Sequence, residues 1–461
     1  MNRIILGVDV GSTKICSIIA DVRGSDVQII GTGACKTQGV KKGAIVNIEQ
    51  AGSAIRKSIH EAKLMAGVDV SKAIVSLSGA HTKSINVSGS ANVMDREVNI
   101  DTINAALSFA VHNAGIPKDY SIVHVLPHHF RLNDKEHVED PIGMTGSRLE
   151  VDTHIVTVQT ASLENLKKAI RLAGVEIENI VLSSYAASIA VLHEDEKDLG
   201  VACIDMGAQT CELMIYDGNS MCYNDFLGVG SNHISSDMAR FLNTPLKVAE
   251  EIKIKFGNLL PSAEEQNRVL EIPRIGNNEE TIDVPLRDIY CVMGDRVKET
   301  LRILSDSIGT SGLKKQITGV VLTGGMANLK GMREFASAAF SPLSVRLARP
   351  TEIDGLFDTL KDSSSSVVVG LILYGAGNFT NYEKDSQNNI RSRHNALNMV
   401  ESNYETQTQT MQTSSDFQID LRDLDQPSAD IPENQVGNAS DSRDEKPSFL
   451  QRFKAWSRDL F

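Results

Sequence analysis

The sequence predicts a mixed α/β protein of two related lobes around a shared cleft, with a small α+β insertion, a disordered tether and a terminal amphipathic helix. Three stretches carry that expectation. Ile4 to Ala20, IILGVDVGSTKICSIIA, is apolar up to Asp9, turns through Gly11-Ser12-Thr13-Lys14 and resumes as a second apolar run, the pattern of strand, tight turn and strand. Val201 to Tyr216, VACIDMGAQTCELMIY, repeats it, with Asp205 and Gly207 where the first copy has Asp9 and Gly11. The separation of the copies is far too long for a solenoid and suits a duplicated domain in which each half lends one hairpin to one cleft. The third stretch is Ile317 to Met332, ITGVVLTGGMANLKGM, a β-branched run ending in Thr323-Gly324-Gly325 before a helical segment.

The residue types at these turns point to an anion. Gly11 tolerates backbone angles that a side chain forbids, and Ser12, Thr13 and Lys14 offer hydroxyls, turn amides and a cation. Phosphate is the obvious candidate. Asp9 alone would repel it, so a carboxylate there makes sense as the ligand of a hydrated divalent metal riding on the phosphate. Gly324-Gly325 lets backbone approach a flat ligand closely.

A chain of 461 residues is long enough for about two to four domains. Its 59 acidic against 46 basic side chains, a net charge of −13, argue against wrapping a phosphate backbone, so nucleic acid is not an expected partner. The six cysteines are scattered without metal-knuckle or redox spacing, and four fall in or beside predicted strands as small buried hydrophobes, which fits a reducing cytoplasm. The N-terminal run is broken by Asp9, unlike a secretory signal, and no stretch is long and apolar enough to span a bilayer. Val367 to Leu373 is too short, and Gly370 interrupts it.

In chain order, Val27 to Cys35 reads as a third strand, and Ile48, Ala51, Ile55, Ile59 and Ala62 predict a helix over 48–66. Ala73 to Leu77 returns to strand. From about His81 to Ala161 short alternating strands, Ser84 to Ala91, His124 to Leu132 and Thr153 to Thr160, surround a helix near 100–114, as in a small α+β insertion. His124, His128, His129 and His137 gather there without metal-ligand spacing and read as strand or surface residues. Leu163 to Ala173 and the Ala-rich Ile180 to His193 predict helices. Beyond the second hairpin, helices are expected over 228–241, 246–256 and 289–307, and Glu250 and Lys253, three apart, share one helical face. The strand Ser344 to Leu347 and the Val367 to Tyr374 segment complete the second half.

From Gly377 to Lys446 the composition falls to Asn, Gln, Ser, Thr, Asp and Glu, which cannot offset the entropy of ordering and predicts a tether. The last residues reverse that. Pro447-Ser448 can open a helix, Phe449, Phe453, Trp456 and Leu460 recur at helical steps, and Leu450 and Phe461 widen the stripe. Lys446, Arg452, Lys454 and Arg458 face a single acid, Asp459. A basic, aromatic helix at the end of a tether fits an anionic membrane interface, where each cation contributes about 1 kcal/mol beyond apolar burial.

The glycine turns, the Glu250-x-x-Lys253 pair and the duplication resemble the nucleotide site of the actin, Hsp70 and sugar kinase superfamily. Within it, GVDVGSTK, SSYAASIAVLHEDEKDLGVACIDMG, AEEIKIKFG and VLTGGMANLKGM, with the tether and basic terminal helix, resemble the FtsA family of bacterial cell-division proteins. The resemblance implies an actin-like fold: core lobes at 1–80 with 162–197 and at 198–227 with 306–377, an inserted subdomain at 81–161, a tail-binding subdomain at 228–305, a tether at 378–446 and a membrane helix at 447–461. It implies ATP held by Asp9, Gly11, Ser12, Thr13 and Lys14 on one side and Asp205, Gly207, Ala208 and Gln209 on the other. Mg²⁺ would sit between Asp9 and Asp205 through water. Glu250 and Lys253 would meet ribose and base, and Gly324, Gly325 and Met326 the adenosine end. It further implies self-polymerisation, attachment of FtsZ filaments through the FtsZ C-terminal tail with Arg287 and Arg296 as candidate contacts, binding to the cytoplasmic face of the inner membrane at the septum, and recruitment of later division proteins.

Two departures bear on chemistry. Ala208-Gln209 replaces the Gly-Gly frequent in related members, and Ser183-Ser184 stands where hydrolytic superfamily members orient water with Glu or Gln, so ATP binding with slow or negligible turnover is expected. The enzyme alternative, a small-molecule kinase of the same fold, would need a catalytic Asp in the cleft and has little use for a tethered membrane helix. An Hsp70-like chaperone would need a C-terminal peptide-binding domain for which the tail leaves no room.

Overall fold

The computed structural model describes residues 2–24, 26–94, 96–133, 135–218 and 220–393. The tether past residue 393 and the terminal helix expected at 447–461, with its membrane residues Phe449 to Phe461, lie outside the described residues.

The chain opens with β1 (Asn2–Val10), β2 (Lys14–Arg23) and β3 (Asp26–Lys36), a short hairpin of β4 (Val40–Lys41) and β5 (Ala44–Ile45), then α1 (Ile48–Ala66) and β6 (Lys72–Leu77). The insertion follows as β7 (Thr82–Asn92), α2 (Ile100–Asn113), β8 (Tyr120–Leu132), β9 (Lys135–Val138) and β10 (Arg148–Gln159). The first lobe resumes with α3 (Thr160–Leu172), β11 (Glu176–Leu182), α4 (Ser183–Val191) and α5 (Glu194–Asp198). Then come β12 (Val201–Met206), β13 (Cys211–Asp217), β14 (Ser220–Leu227), α6 (Ser231–Phe241), α7 (Leu246–Phe256), α8 (Ala263–Gln266), β15 (Val269–Arg274), β16 (Asn277–Pro285) and α9 (Leu286–Thr310). The chain returns through β17 (Gly319–Thr323), α10 (Met332–Phe340), β18 (Ser344–Leu347) and α11 (Ser366–Gly375).

The duplication is visible in the sheets. The first runs β11-β6-β1-β2-β3 and the second β14-β13-β12-β17-β18; in each, an antiparallel meander of three strands continues into two parallel ones. Position by position, β1 and β12 are equivalent, and each has its aspartate next to last, Asp9 before Val10 and Asp205 before Met206. The insertion forms a separate sheet, β7-β10-β8-β9, covered by α2. Asn47 caps α1 by accepting from Gln50 N–H at 3.0 Å, and Asn99 caps α2 through Thr102 N–H at 2.9 Å, so both predicted helices start where an orphan amide finds a side chain.

Three expectations change. Ile180 to Leu182 is the end of strand β11, paired parallel with β6, and the helix starts at Ser183. An apolar run of that kind fits a buried strand as well as a helix, and the free edge of β6 decided between them. The β15–β16 hairpin fills the stretch between the helices expected over 246–256 and 289–307, where no element is expected.

The third change concerns the tether, expected from residue 378, whose first part is packed. Lys384 and Val125 exchange backbone hydrogen bonds at 3.0 Å in each direction, and Tyr382 is buried against Phe130 in the insertion's core. Glu383 accepts from the hydroxyls of Tyr185 and Tyr374 at 2.6 Å, and the Arg391 guanidinium lies 4.2 Å from the ring centres of both Tyr374 and Phe379. Composition underestimates such a segment because a few anchored residues suffice when their partners are preformed. A chain ending at residue 377 is therefore expected to melt several degrees below the full chain, with a loss of about 2 kcal/mol or more, whereas one ending at 393 melts with it; thermal unfolding of the two truncations checks this.

The insertion's histidines are structural. His124 accepts from Leu182 N–H at 3.1 Å, and the Nδ1 atoms of His128 and His129 lie 2.8 Å apart. Burial lowers His124 to about 3 and, aided by His129, His128 to about 4, so both are neutral at physiological pH. Cys16, Cys203, Cys211 and Cys222 are buried, Cys35 is half-buried and Cys291 exposed.

Candidate functional site

The β1–β2 and β12–β13 turns open into one cavity of about 450 Å³, within the range of small-molecule sites. Asp9, Gly11, Ser12, Thr13 and Lys14 line one wall and Asp205, Gly207 and Ala208 the other; Glu250, Lys253, Gly324, Gly325 and Met326 close the far end. Residues far apart in sequence thus converge because the two meanders present equivalent strand ends to each other.

Each turn is held open by its backbone. A Cβ on Gly11 would fall 2.5 Å from Lys14 O, and one on Gly230, at the start of α6, 2.5 Å from Gly207 O. Gly324 has φ +87°, and a Cβ there would stand 2.3 Å from Asp205 Oδ1, so glycine alone fits. Asp9 Oδ1 accepts from Ser76 Oγ at 2.9 Å, Ser12 Oγ accepts from Gly43 N–H at 3.0 Å, and Lys14 Nζ reaches Ser364 Oγ at 3.2 Å. Lys253 Nζ meets Glu250 at 2.8 Å and donates to Ser231 O at 3.1 Å; Ser235 also donates to Glu250. The pair sharing one helical face is therefore half-buried on the cavity wall.

Gln209 does not face the cavity. Its side-chain oxygen accepts Lys42 N–H at 2.7 Å, tying the second hairpin's tip to the β4–β5 turn of the first lobe, so the expectation of a phosphate contact there is corrected.

Glu212 was not anticipated. It lies directly across the hairpin from Asp205, and directly opposed residues in an antiparallel pair share a face, so it enters the cavity beside that aspartate. Oε1 accepts from Ser78 Oγ at 2.7 Å and Gly79 N–H at 3.1 Å, while the buried Oε2 makes no well-aligned hydrogen bond. The available signal was a lone acid in the apolar run CELMIY, at the hairpin position where the first copy has Cys16. Ser183, noted in the sequence, also lines the cavity, and Ser78, Asn328 and Ser363 do so without sequence warning.

The carboxylates set the electrostatics. Burial raises Asp205 to about 8, aided by Glu212 and Asp9, and raises Asp9 to about 6 against the pull of Ser76 and Lys14. Glu212 is raised by burial, countered by Ser78 and by the Gly79 and Ser184 amides. Asp9 and Asp205, both buried and repelling one another, offer hard oxygens whose repulsion a divalent cation would relieve, which suits Mg²⁺. Among the described residues no three His, Cys, Asp or Glu are placed to hold a metal together, so an ion here would be completed by water and a ligand's oxygens.

Of the two arginines singled out for a partner, Arg287 is largely exposed and 3.4 Å from Asp288, whereas Arg296 is engaged with Asp237 at 2.6 Å and with Glu299.

Residues 202–370 match the family described as Cell division protein FtsA, and residues 79–157 match the SHS2 domain inserted in FtsA. The Cell division protein FtsA of Helicobacter pylori strain J99 is 44% identical over 461 residues, spanning 93% of this chain and 93% of that protein. This chain belongs to the FtsA family. Membership places it among cell-division proteins, and the SHS2 match falls on the β7-β10-β8-β9 insertion. The fold of this FtsA is the actin-like one. The solved PilM-PilN type IV pilus biogenesis complex superposes with a TM-score of 0.59 at 16% identity, over 82% of this chain and 99% of that one. MreB5 of Spiroplasma citri bound to ADP does so at 0.50 and 13% identity, over 81% and 96%.

Proposed function

We propose that this FtsA binds Mg-ATP between its lobes, assembles with copies of itself, and anchors FtsZ filaments to the cytoplasmic face of the inner membrane at the division site, where it helps recruit later division proteins. One observation carries the nucleotide reading: Asp9 and Asp205, from the two duplicated hairpins, open into a single cavity together with Lys14 and the Gly324-Gly325 turn. A triphosphate would lie between the hairpin tips with Mg²⁺ on the Asp9 and Asp205 side. The Glu250–Lys253 pair would face the ribose and base, with Gly324, Gly325 and Met326 beneath. The ADP named for MreB5 supports the same occupant. Mg²⁺, when bound, neutralises phosphate charge; the chain's own residues position it and shape the cavity.

The anchoring reading rests on the terminal sequence, with Phe449, Phe453, Trp456 and Leu460 on one helical stripe among Lys446, Arg452, Lys454 and Arg458. For the FtsZ tail, an acidic and apolar peptide, the 228–305 region carries the exposed apolar residues Phe241, Leu246, Val269 and Ile275 and the exposed cation Arg287.

Flotation tests the whole assembly. Full chain mixed with anionic liposomes and a labelled FtsZ tail peptide is expected to float with lipid and carry the peptide, and a chain truncated before Lys446 to leave both behind. Equal flotation of the two chains refutes the anchor, and floating protein without peptide refutes the tail site.

A further inference from the structure

Turnover is expected to be negligible on the argument that Ser183-Ser184 brings no carboxylate to the head of the Ala-rich helix, yet the fold delivers one there from another strand. Glu212 reaches the cavity from β13, 3% exposed, where the Ser183 end of α4 forms the wall. Its two oxygens are in different situations. Oε1 is fixed from across the cleft by the first lobe, through Ser78 Oγ at 2.7 Å and Gly79 N–H at 3.1 Å. Besides Gly79, the Ser184 amide is the other backbone donor near the carboxylate, yet Oε2, equally buried, makes no well-aligned hydrogen bond. A buried carboxylate oxygen without one is costly, and directly opposed acids such as Asp205 and Glu212 destabilise a hairpin. A hydrogen-bonding ligand at Oε2 would relieve the first cost, and a cation beside Asp205 the second.

We infer that Glu212 is a catalytic residue for ATP hydrolysis, its Oε2 accepting a hydrogen bond from the attacking water and its Oε1 held by Ser78 and Gly79 so that the acceptor is aimed. The inference rests on the nucleotide reading above. In the step, the water oxygen bonds to the γ-phosphorus while the bond from that phosphorus to the β–γ bridging oxygen breaks. The electron pair leaves on ADP, and the water's protons depart with inorganic phosphate and to solvent. Glu212 orients the water's lone pair and is not consumed, the role a side-chain oxygen plays in other phosphoryl transfers to water. Because the clamp on Oε1 comes from the opposite lobe, the acceptor is aimed when the lobes are together, which makes hydrolysis sensitive to closure.

The test uses the full chain with Mg²⁺. Glu212→Gln keeps Oε1 for Ser78 and Gly79 but puts an NH₂ donor where Oε2 stood, turning the water's lone pair the wrong way. ADP affinity is expected to stay within about twofold while single-turnover phosphate release falls by about a hundredfold. A binding readout separates this role from a structural one: ADP with aluminium fluoride, which gathers an in-line water, is expected to raise the wild type's melting temperature beyond ADP alone and to lose that increment in E212Q. Ser78→Ala, which loosens the clamp, is expected to lower phosphate release with ADP binding intact, and it decides the matter if E212Q does not fold. Phosphate release at the wild-type rate in E212Q, or a wild type that binds ATP and releases no phosphate, overturns the inference. A chain that binds no ADP overturns the nucleotide site instead.

Discussion

Asp205→Asn is expected to make the nucleotide-free protein more stable at pH 8 and to abolish its stabilisation by Mg-ADP. The carboxyl of Asp205 titrates near its ordinary range when unfolded, and in the fold burial, Glu212 and Asp9 raise it to about 8. A group that binds its proton more tightly in the folded state contributes stability fully present below the unfolded value, lost as pH rises through the folded one. The window therefore runs from about pH 4 to about pH 8. Asparagine carries no charge to bury, so the advantage of D205N grows across that window and reaches about 2 kcal/mol or more at its upper end, a shift of a few degrees. With Mg-ADP the order reverses: the wild type gains because the cation relieves its carboxylates, and the variant, short of a metal-facing oxygen, does not. Melting curves at pH 5 and pH 8, with and without Mg-ADP, read both effects. A variant less stable than wild type at pH 8 would show that Asp205 contributes structurally.

Gly370→Ala is expected to be among the most damaging single substitutions in the chain. Gly370 sits in α11 where that helix crosses α4, and a Cβ there would lie 1.7 Å from Ala186 O and 2.4 Å from Ala186 C. Those are backbone atoms of a buried helix, so no rotamer change relieves the clash. The crossing is surrounded by Ala187, Val369, Leu371 and Ile372 in one apolar cluster, with α11 also packed on β1, β2 and β6. Overpacking of this kind costs about 3 kcal/mol or more, so soluble yield and melting temperature both drop sharply. The helix pair joins an element following the first sheet to one following the second, and Gly370→Ser, which adds a hydroxyl to the same clashing Cβ, is expected to be at least as damaging as Gly370→Ala. Wild-type melting of G370A would sink the account of this crossing.

Much of this was legible in the chain. The β1–β2 and β12–β13 hairpins, α1 over Ile48–Ala66, α7 over Leu246–Phe256 and β18 over Ser344–Leu347 follow from periodicity and turn chemistry, which act within a few residues. Thirteen of the fourteen residues expected around the nucleotide line one cavity; for those on the two hairpins the reason is local, since a glycine turn after an Asp-tipped strand has few ways to point its side chains. Gln209 is the exception, because its direction depends on Lys42 in the other lobe. Gly370 illustrates the opposite limit. In sequence it is a blemish in an apolar run, and its necessity exists only once Ala186 lies against it.

By itself the sequence determined the duplication, the two aspartates, the glycine turns and the amphipathic terminus, since each is written in the order of neighbouring residues. The tertiary structure alone decided that Glu212 enters the cleft in the grip of Ser78, that Gln209 turns away from it, and that residues 379–392 pack as a strap. Those outcomes depend on surfaces brought together from distant parts of the chain, where burial and hydrogen bonding across the lobes outweigh any local preference.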